Sequence, residues 1–456
     1  MPEPDSPAAP KTFFIETLGC PKNQVDSDKL LGTLVADGMV RADSPDQADL
    51  VVVNTCAFVE EARQESIDTI LSLDDLRRDG SEIVVTGCMA ERYGDELAEL
   101  LPEIDRVAGF GVALTPPAPA GGGVLVGLSP TRRSTNGDPS APTVPSMDLL
   151  ELPRPASASP WAYVKVAEGC DRNCGFCAIP SFRGKQRSRS IDSILAEVDQ
   201  LAAHEIVLVA QDLAAYGRDQ GQGERNIIPL VRAVADRVER VRLLYLYPSD
   251  LTDALIDTIC ATGVPYFDLS LQHVSRPLLR RMRRWGDGSI FSERIDAIRA
   301  REPDATFRSN FIVGYPGETE DDHDALIEFV EQTRLDWCGF FPYSEESGTY
   351  AADLDAKVPA GLAQERLAEL VELQDRITAE RRDDLIGETM RVLIDAPGEA
   401  RSHREAPEID GVVRVPEHLS VGAFVEVEIT GAEGPDLDAV PVDDAVANGA
   451  GAGAMS

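Results

Sequence analysis

The chain has no stretch approaching 18 apolar residues, so no membrane-crossing helix is expected. Its first ten residues, MPEPDSPAAP, have neither the basic n-region nor the apolar h-region of a signal peptide. Cations are also scarce: 43 Lys and Arg stand against 79 Asp and Glu, a formal net charge of -36. Such a chain repels phosphate backbones on average, so any nucleic-acid role needs a local basic patch working against the global field. A generally acidic, solubility-favouring surface is the plainer reading. With neither leader nor span, the expectation is a cytoplasmic protein with no membrane partner. Disulfides are rare in that compartment, and eight cysteines need another explanation. At the usual domain size, 456 residues suggest three domains, and 27% charged with 43% hydrophobic side chains excludes disorder throughout.

Residues 111–160 carry ten prolines and six glycines and read as a linker or long irregular connection. A small-residue tail at 446–456 reads as disordered. Before the linker, at 11–125, three apolar runs each end in a cysteine: FFIETLGC at Cys20, LVVVNTC at Cys56 and EIVVTGC at Cys88. Amphipathic stretches at 26–37 and 59–73 alternate with them, the pattern of parallel strands with crossover helices. All three cysteines then fall at the carboxyl ends of parallel strands, where open α/β sheets form ligand crevices, so they can converge. The alternative is three buried thiols behaving as small hydrophobes.

Residues 156–385 repeat a strand-then-helix unit six times. Strands are expected at 162–167, 206–210, 241–247, 266–271, 306–313 and 337–341, with helices such as 191–204, 320–334 and 362–384. Six units fall short of a closed eight-unit barrel, so a partial (β/α)6 barrel is expected, with chemistry at the carboxyl ends of its strands. The polar residues there are Gln211, Asp212, Tyr247, Gln272, His273, the turn from Gly314 to Glu318, Tyr343 and Ser344. Residues 386–445 alternate in short strand patterns (MRVLI, GVVRV, FVEVEI) and read as a small all-β barrel or sandwich. Fourteen acidic residues against four arginines in 387–444 argue against a polyanion binder. The fold class is α/β, with an all-β carboxy-terminal domain.

The first strand of the middle segment runs into EGCDRNCGFC, a C-x3-C-x2-C spacing of Cys170, Cys174 and Cys177. Structural zinc wants four ligands, usually as paired C-x2-C knuckles, and no fourth cysteine or histidine is local. Three close thiolates suit instead a 4Fe-4S cluster with one iron left without a protein ligand, open to a substrate. This motif, an aromatic before the last cysteine and a six-unit barrel together resemble the radical S-adenosylmethionine superfamily. There the open iron chelates the amino and carboxylate groups of S-adenosylmethionine, which is cleaved to methionine and a 5'-deoxyadenosyl radical. Abstracting hydrogen from an unactivated carbon is beyond any side-chain acid or base. FIVGYPGE, ending in Gly314, Tyr315, Pro316, Gly317 and Glu318, resembles the superfamily's glycine-rich strand end near the adenine. VAQD, ending in Gln211 and Asp212, stands where relatives contact the cofactor's amino group.

With the flanking segments added, the plan resembles the methylthiotransferases, whose terminal β-barrel is a TRAM domain. The resemblance covers nearly the whole chain except the linker and tails. It implies that Cys20, Cys56 and Cys88 hold a second 4Fe-4S cluster thought to carry or donate sulfur. It also implies two molecules of S-adenosylmethionine, one as methyl donor and one as radical source. TLGCPKNQVDSD around Cys20, AFVEEARQESI, LYLYPSDL and LQHVSRPLLRRMRR look like the RimO branch, which modifies an aspartate of ribosomal protein S-twelve. The tRNA-modifying branch typically reads C-Q-M-N after its first cysteine and lacks the Gln-His pair, so Pro21 and His273 count against it, as does the acidic terminal barrel. The expected partners are that ribosomal protein, free or on the small ribosomal subunit, an electron donor and a sulfur source, with no tRNA. The far alternative is a non-enzymatic, zinc-stabilised RNA-binding module. Departures from the family pattern are Ser270 and the Ser309, Asn310 pair, which bear on substrate contacts.

Four basic residues after the cysteine loop, Arg183, Lys185, Arg187 and Arg189, form a solvated face or meet an anion, and Arg183 is a candidate contact to the cofactor. Arg276, Arg280, Arg281, Arg283 and Arg284 read as a plain exposed helix, with docking to ribosomal RNA as the alternative. Gln272 and His273 are candidate substrate contacts. Cys260 and Cys338 have no partner spacing and read as packing residues.

Overall fold

A computed structural model of the chain describes residues 10–115, 147–221 and 226–442. Most of the Pro/Gly-rich stretch and all of the small-residue tail lie outside the described residues. The chain divides into two units: one takes residues up to 155 with 167–171 and 178–189, and the other takes 156–166, 172–177 and the remainder.

The first unit is built on a five-stranded sheet, in spatial order Val40–Arg41, Thr12–Thr17, Leu50–Thr55, Glu82–Gly87 and Arg106–Val107, every pair parallel. Its centre, Leu50–Thr55, is buried along its whole length, as a continuous apolar run sandwiched between two layers requires. Val51, Val53, Ile70 and Leu73 pack on one face and Phe13, Leu30, Leu34 and Val52 on the other. The first crossover helix spans Pro21–Ala36, beginning five residues before the expected 26 because Pro21 occupies the first turn and Cys20 is its N-cap. Residues 147–155 of the Pro/Gly-rich connection are irregular but not linker-like. Leu149 joins the core, Lys29 Nζ donates to Leu150 O at 2.7 Å, and Arg154 meets Asp28 at 2.8 Å.

In the second unit six parallel strands, Trp161–Lys165, Glu205–Val209, Arg240–Leu243, Tyr266–Gln272, Thr306–Val313 and Trp337–Pro342, lie in chain order as two trios. A parallel bridge from Leu246 to Leu269 joins the trios, giving the open, six-strand partial barrel that the pattern predicts. Helices follow at Ile191–Leu201, Glu320–Thr333 and Ala360–Asp383, among others. The Thr319 side chain and Asp322 close a capping box at the second of these. Strands between Thr389 and Pro441 close into a five-stranded barrel around Val392, Ile394, Val413, Val427 and Leu437.

That barrel is fixed to the six strands by buried charge. Glu205 accepts from Arg242 at 2.8 Å and Arg401 at 3.2 Å, Arg382 meets Glu405 at 2.5 Å, and Asp410 accepts from Tyr266 and Arg308, both at 2.6 Å. Part of the terminal acidity is therefore spent internally. Glu388, Glu399, Glu408, Glu417, Glu426 and Glu433 remain exposed. Cys260 ends the helix Asp253–Cys260 and Cys338 lies in a strand, both as free thiols. No helix among the described residues is long and apolar enough to cross a membrane.

Candidate active site: two sets of three cysteines

In the first unit, Cys20, Cys56 and Cys88 follow the carboxyl ends of three adjacent strands. Gly19, at φ +93°, lets the chain pass so close to its neighbour that a β-carbon there would sit 2.8 Å from Cys56 Cβ and 3.0 Å from its Sγ. Asn23 ties the loops together: its Nδ2 donates to Leu18 O at 2.9 Å and Thr55 O at 3.0 Å. Asn54 adds bonds to Asn23 O at 2.8 Å and Ser27 Oγ at 2.9 Å.

Opposite these groups lies Arg183, from the short helix Ile179–Arg183, its side chain only 3% exposed. Its Nη2 donates to Cys88 Sγ at 3.0 Å and Asn23 Oδ1 at 2.8 Å, while Nη1 donates to Glu168 at 2.8 Å and Asp26 lies at 3.6 Å. Its guanidinium also stacks over Phe110 at 4.6 Å. The sequence grouped Arg183 with its basic neighbours, but the structure separates them. Arg187 makes a bidentate pair with Asp148 at 2.5 and 2.7 Å, Arg189 approaches Glu151 at 3.6 Å, and Lys185 is exposed.

Burial opposes ionisation of all three thiols. At Cys20 the cations Lys22 and Arg183 and the N–H groups of Asn23 and Lys22 at the helix start outweigh it and hold the thiol below its ordinary value. Burial pushes Cys56 up to about 11 and raises Cys88 as well, with Arg183 countering at both. Each of these two thiols also feels the charge of Cys20, so they act as one electrostatic cluster. Free thiols, a fixed cation and a cradle closed by Gly19 fit a thiolate-bound anionic group. Among the described residues no set of His, Cys, Asp or Glu closes on a single-ion position. A cubane, by contrast, offers a separate iron to each thiolate.

The loop from Cys170 to Cys177 is held locally at both ends. Cys170 N–H donates to Gly184 O at 3.1 Å, and Cys177 N–H to Cys174 O at 3.2 Å. Gly175 N–H donates to Met282 O and its carbonyl accepts from Ala351 N–H, both at 2.8 Å. A β-carbon on Gly175 would lie 2.8 Å from Tyr315 Oη, so the loop is pressed against the glycine-rich turn. Arg172, inside the motif, pairs with Asp212 at 2.6 Å and with Asp250, and stacks over Tyr247 at 3.8 Å. Burial raises the Asp212 carboxyl, with Arg172 opposing it.

The arginine run at 276–284 is not a plain exposed helix. Helix geometry stops at Arg281, Arg283 adopts φ +57° over the Tyr350 ring, and Arg284 stacks over Tyr247 at 4.3 Å while its Nη1 reaches Cys174 Sγ at 3.2 Å. Sequence reading missed Arg172 and placed Arg284 on an exposed helix rather than beside Cys174. The presence of Arg172 within the cysteine motif was an available signal.

Gly314, Pro316 and Gly317 form the turn that ends Thr306–Val313, both glycines having positive φ. Glu318 braces this turn. One oxygen accepts from Gly314 N–H at 2.6 Å and Tyr315 N–H at 3.3 Å, the other from Arg366 at 2.9 Å. Gln211 follows the second barrel strand. Gln272, at φ +71°, is half-buried and ends the fourth strand. His273 is fully buried, with Nδ1 accepting from Ser275 N–H at 3.0 Å and Nε2 unpartnered, and burial holds its pKa down to about 4. The departure at Ser309 has a local reason, because its Oγ donates to Leu269 O at 2.8 Å.

Residues 164–330 match the radical SAM superfamily, residues 386–442 the TRAM domain, and residues 12–109 the family described as Uncharacterized protein family UPF0004. These matches and the chain's curated relatives define a radical S-adenosylmethionine enzyme, a transferase using 4Fe-4S and S-adenosylmethionine. The ribosomal protein uS12 methylthiotransferase RimO of Cutibacterium acnes is 41% identical over 95% of this chain and 98% of its own length. The protein of the same name from Streptomyces coelicolor is 41% identical over 95% and 97%. The chain belongs to the family of ribosomal protein uS12 methylthiotransferases. Among solved structures it is similar to the radical S-adenosylmethionine methyltransferase TsrM from Kitasatospora setae, at a TM-score of 0.48 and 14% identity over 91% of this chain and 84% of that one.

Proposed function

We propose that this protein methylthiolates the β-carbon of an aspartate in ribosomal protein uS12, replacing C–H by C–S–CH3. The observation that carries the reading is the pair of three-cysteine sets, one on a radical barrel and one at three strand ends beside a buried arginine, in a chain that matches uS12 methylthiotransferases over nearly its whole length. S-adenosylmethionine supplies both the methyl group and, on reductive cleavage, the 5'-deoxyadenosyl radical, and the cysteine-bound clusters supply the electron and the sulfur. Cys170, Cys174 and Cys177 would hold the cluster that serves S-adenosylmethionine cleavage, and Cys20, Cys56 and Cys88 would hold the other. Gln211, Asp212, Gly314, Pro316 and Gly317 line the cofactor's place at the carboxyl ends of the strands, with Glu318 keeping the turn in shape. Arg172 neutralises Asp212 in the state described and must exchange that partner for Asp212 to reach a ligand ammonium. Gln272 and His273 stand at the substrate end of the fourth strand.

The target is a basic ribosomal protein, met in the cytoplasm either free or on the small subunit, which the exposed glutamates of the terminal barrel suit better than tRNA. An electron donor and a sulfur source complete the cycle. Replacing Cys170, Cys174 or Cys177 by alanine is expected to stop formation of 5'-deoxyadenosine, and unchanged formation refutes their assignment. Replacing Cys20, Cys56 or Cys88 is expected to leave that cleavage measurable and abolish methylthio transfer, and retained transfer refutes theirs. Anaerobically purified protein is expected to be brown, with about eight irons per chain from two four-iron clusters. Zinc in their place supports the scaffold alternative.

A further inference from the structure

We infer that Arg183 is a positioning residue that sets the reduction potential of the group held by Cys20, Cys56 and Cys88. The inference rests on the assignment of those cysteines as cluster ligands, made above. Its ground is geometric. Arg183 Nη2 donates to Cys88 Sγ at 3.0 Å and to Asn23 Oδ1 at 2.8 Å, and Asn23 in turn holds Leu18 O and Thr55 O, one on each of two cysteine-bearing loops. The guanidinium is nearly sealed from solvent and keeps its charge at any accessible pH, so its field at the sulfur is permanent and weakly screened.

Adding one electron to a 4Fe-4S cluster adds one negative charge to a group already bound by three thiolates. A cation hydrogen-bonded to one of those thiolates stabilises the reduced form more than the oxidised form and raises the potential. Glu168, at 2.8 Å from Nη1, offsets part of that charge. The pair therefore forms a graded device: Arg183 pulls the potential up and Glu168 pulls it back.

Arg183 lies six residues beyond Cys177 in the chain. The segment that follows the radical-cluster motif thus supplies the fixed charge at the other cysteine set, an arrangement the arginine's sequence neighbours do not share.

The test uses the full-length chain carrying Cys170→Ala, Cys174→Ala and Cys177→Ala, so that one cluster remains, reconstituted anaerobically with iron and sulfide. It is titrated with dithionite as electron donor and followed by EPR. Arg183→Met is expected to lower the midpoint potential at an unchanged load of about four irons. Arg183→Lys, which keeps the charge, is expected to restore part of the shift. Glu168→Gln leaves Arg183 and every cysteine in place and is expected to move the potential upward. A purely structural clamp predicts lost iron without a shift in opposite directions. If Arg183→Met prevents loading, the Arg183→Lys and Glu168→Gln titrations decide. Unchanged potentials at full iron content overturn the inference alone, whereas no iron in the parent triple variant overturns the ligand assignment beneath it.

Discussion

Gly19 brings its loop into direct contact with Cys56, and substituting it tests whether that geometry is needed. Gly19→Ala does two things at once: it places an L side chain at φ +93° and drives its β-carbon to 2.8 Å from Cys56 Cβ. Gly38→Ala separates these effects, because Gly38 has nearly the same φ, +84°, yet an added β-carbon there meets nothing within 4 Å. The backbone strain shared by both is about 1–2 kcal/mol. The clash at Gly19 adds about 1–3 kcal/mol, the usual cost of overpacking a closed site. At roughly 2–4 °C per kcal/mol for a unit of this size, Gly38→Ala is expected to lower the melting temperature of the first transition by a few degrees. Gly19→Ala is expected to lower it visibly further. Iron content is the sharper assay. If Cys56 is a ligand as proposed, displacing it removes one, so Gly19→Ala is expected to fall from about eight irons to about four, while Gly38→Ala stays near eight. Scanning calorimetry and iron analysis of the two variants decide it. Equal melting temperatures and equal iron in both would refute the claim that Gly19 is needed for the approach of Cys20 to Cys56.

Two further expectations concern stability. Burial holds the His273 pKa down to about 4, against an ordinary value of 6.5, so the imidazole is neutral in the native state and the unfolded chain binds the extra proton. Stability is therefore lost as pH falls from 6.5 toward 4, by about 2 kcal/mol at pH 5. Melting curves should show this loss, and His273→Asn should flatten it; an unchanged slope counts against a buried neutral imidazole. A second acid loss, from 4.5 toward 2, is expected from Glu205 and Glu405, where the facing arginines overcome burial and hold both carboxyls down to about 2. Glu205→Ala strands Arg242 and Arg401 without their common partner and is expected to cost about 3–5 kcal/mol. A melting temperature within a degree of the parent contradicts that network's role in fixing the terminal barrel.

The strand-end position of Cys20, Cys56 and Cys88 was legible in the sequence because a parallel sheet covered on both faces demands continuous apolar runs. In Leu50–Thr55 the first four residues are apolar and all six are buried. The six barrel strands were legible from the repeated strand-then-helix unit, and the C-x3-C-x2-C motif because its three cysteines are local in the sequence. Contacts between distant residues were not. The start of the helix at Pro21 depended on recognising Cys20 as an N-cap, a role usually filled by Ser, Thr, Asp or Asn. Arg183 reads as one of four alternating cations, and only folding shows that it alone reaches a thiol 95 residues away. The run at 276–284 reads as helical by composition, but Arg283 breaks the pattern with a left-handed backbone that sends Arg284 to Cys174. The terminal barrel's charge could be counted in the sequence. Which carboxylates face solvent could not, because Glu405 and Asp410 are consumed by Arg382, Tyr266 and Arg308.

The central claim is methylthiolation of one aspartate of a ribosomal protein. Intact-mass and peptide mass spectrometry of uS12 from cells with and without this gene tests it most directly. The account predicts one methylthio group in place of one hydrogen on a single aspartate, present with the gene, absent without it, and absent when Cys56 or Cys174 is replaced by alanine. Identical uS12 masses in all of these cells would contradict it.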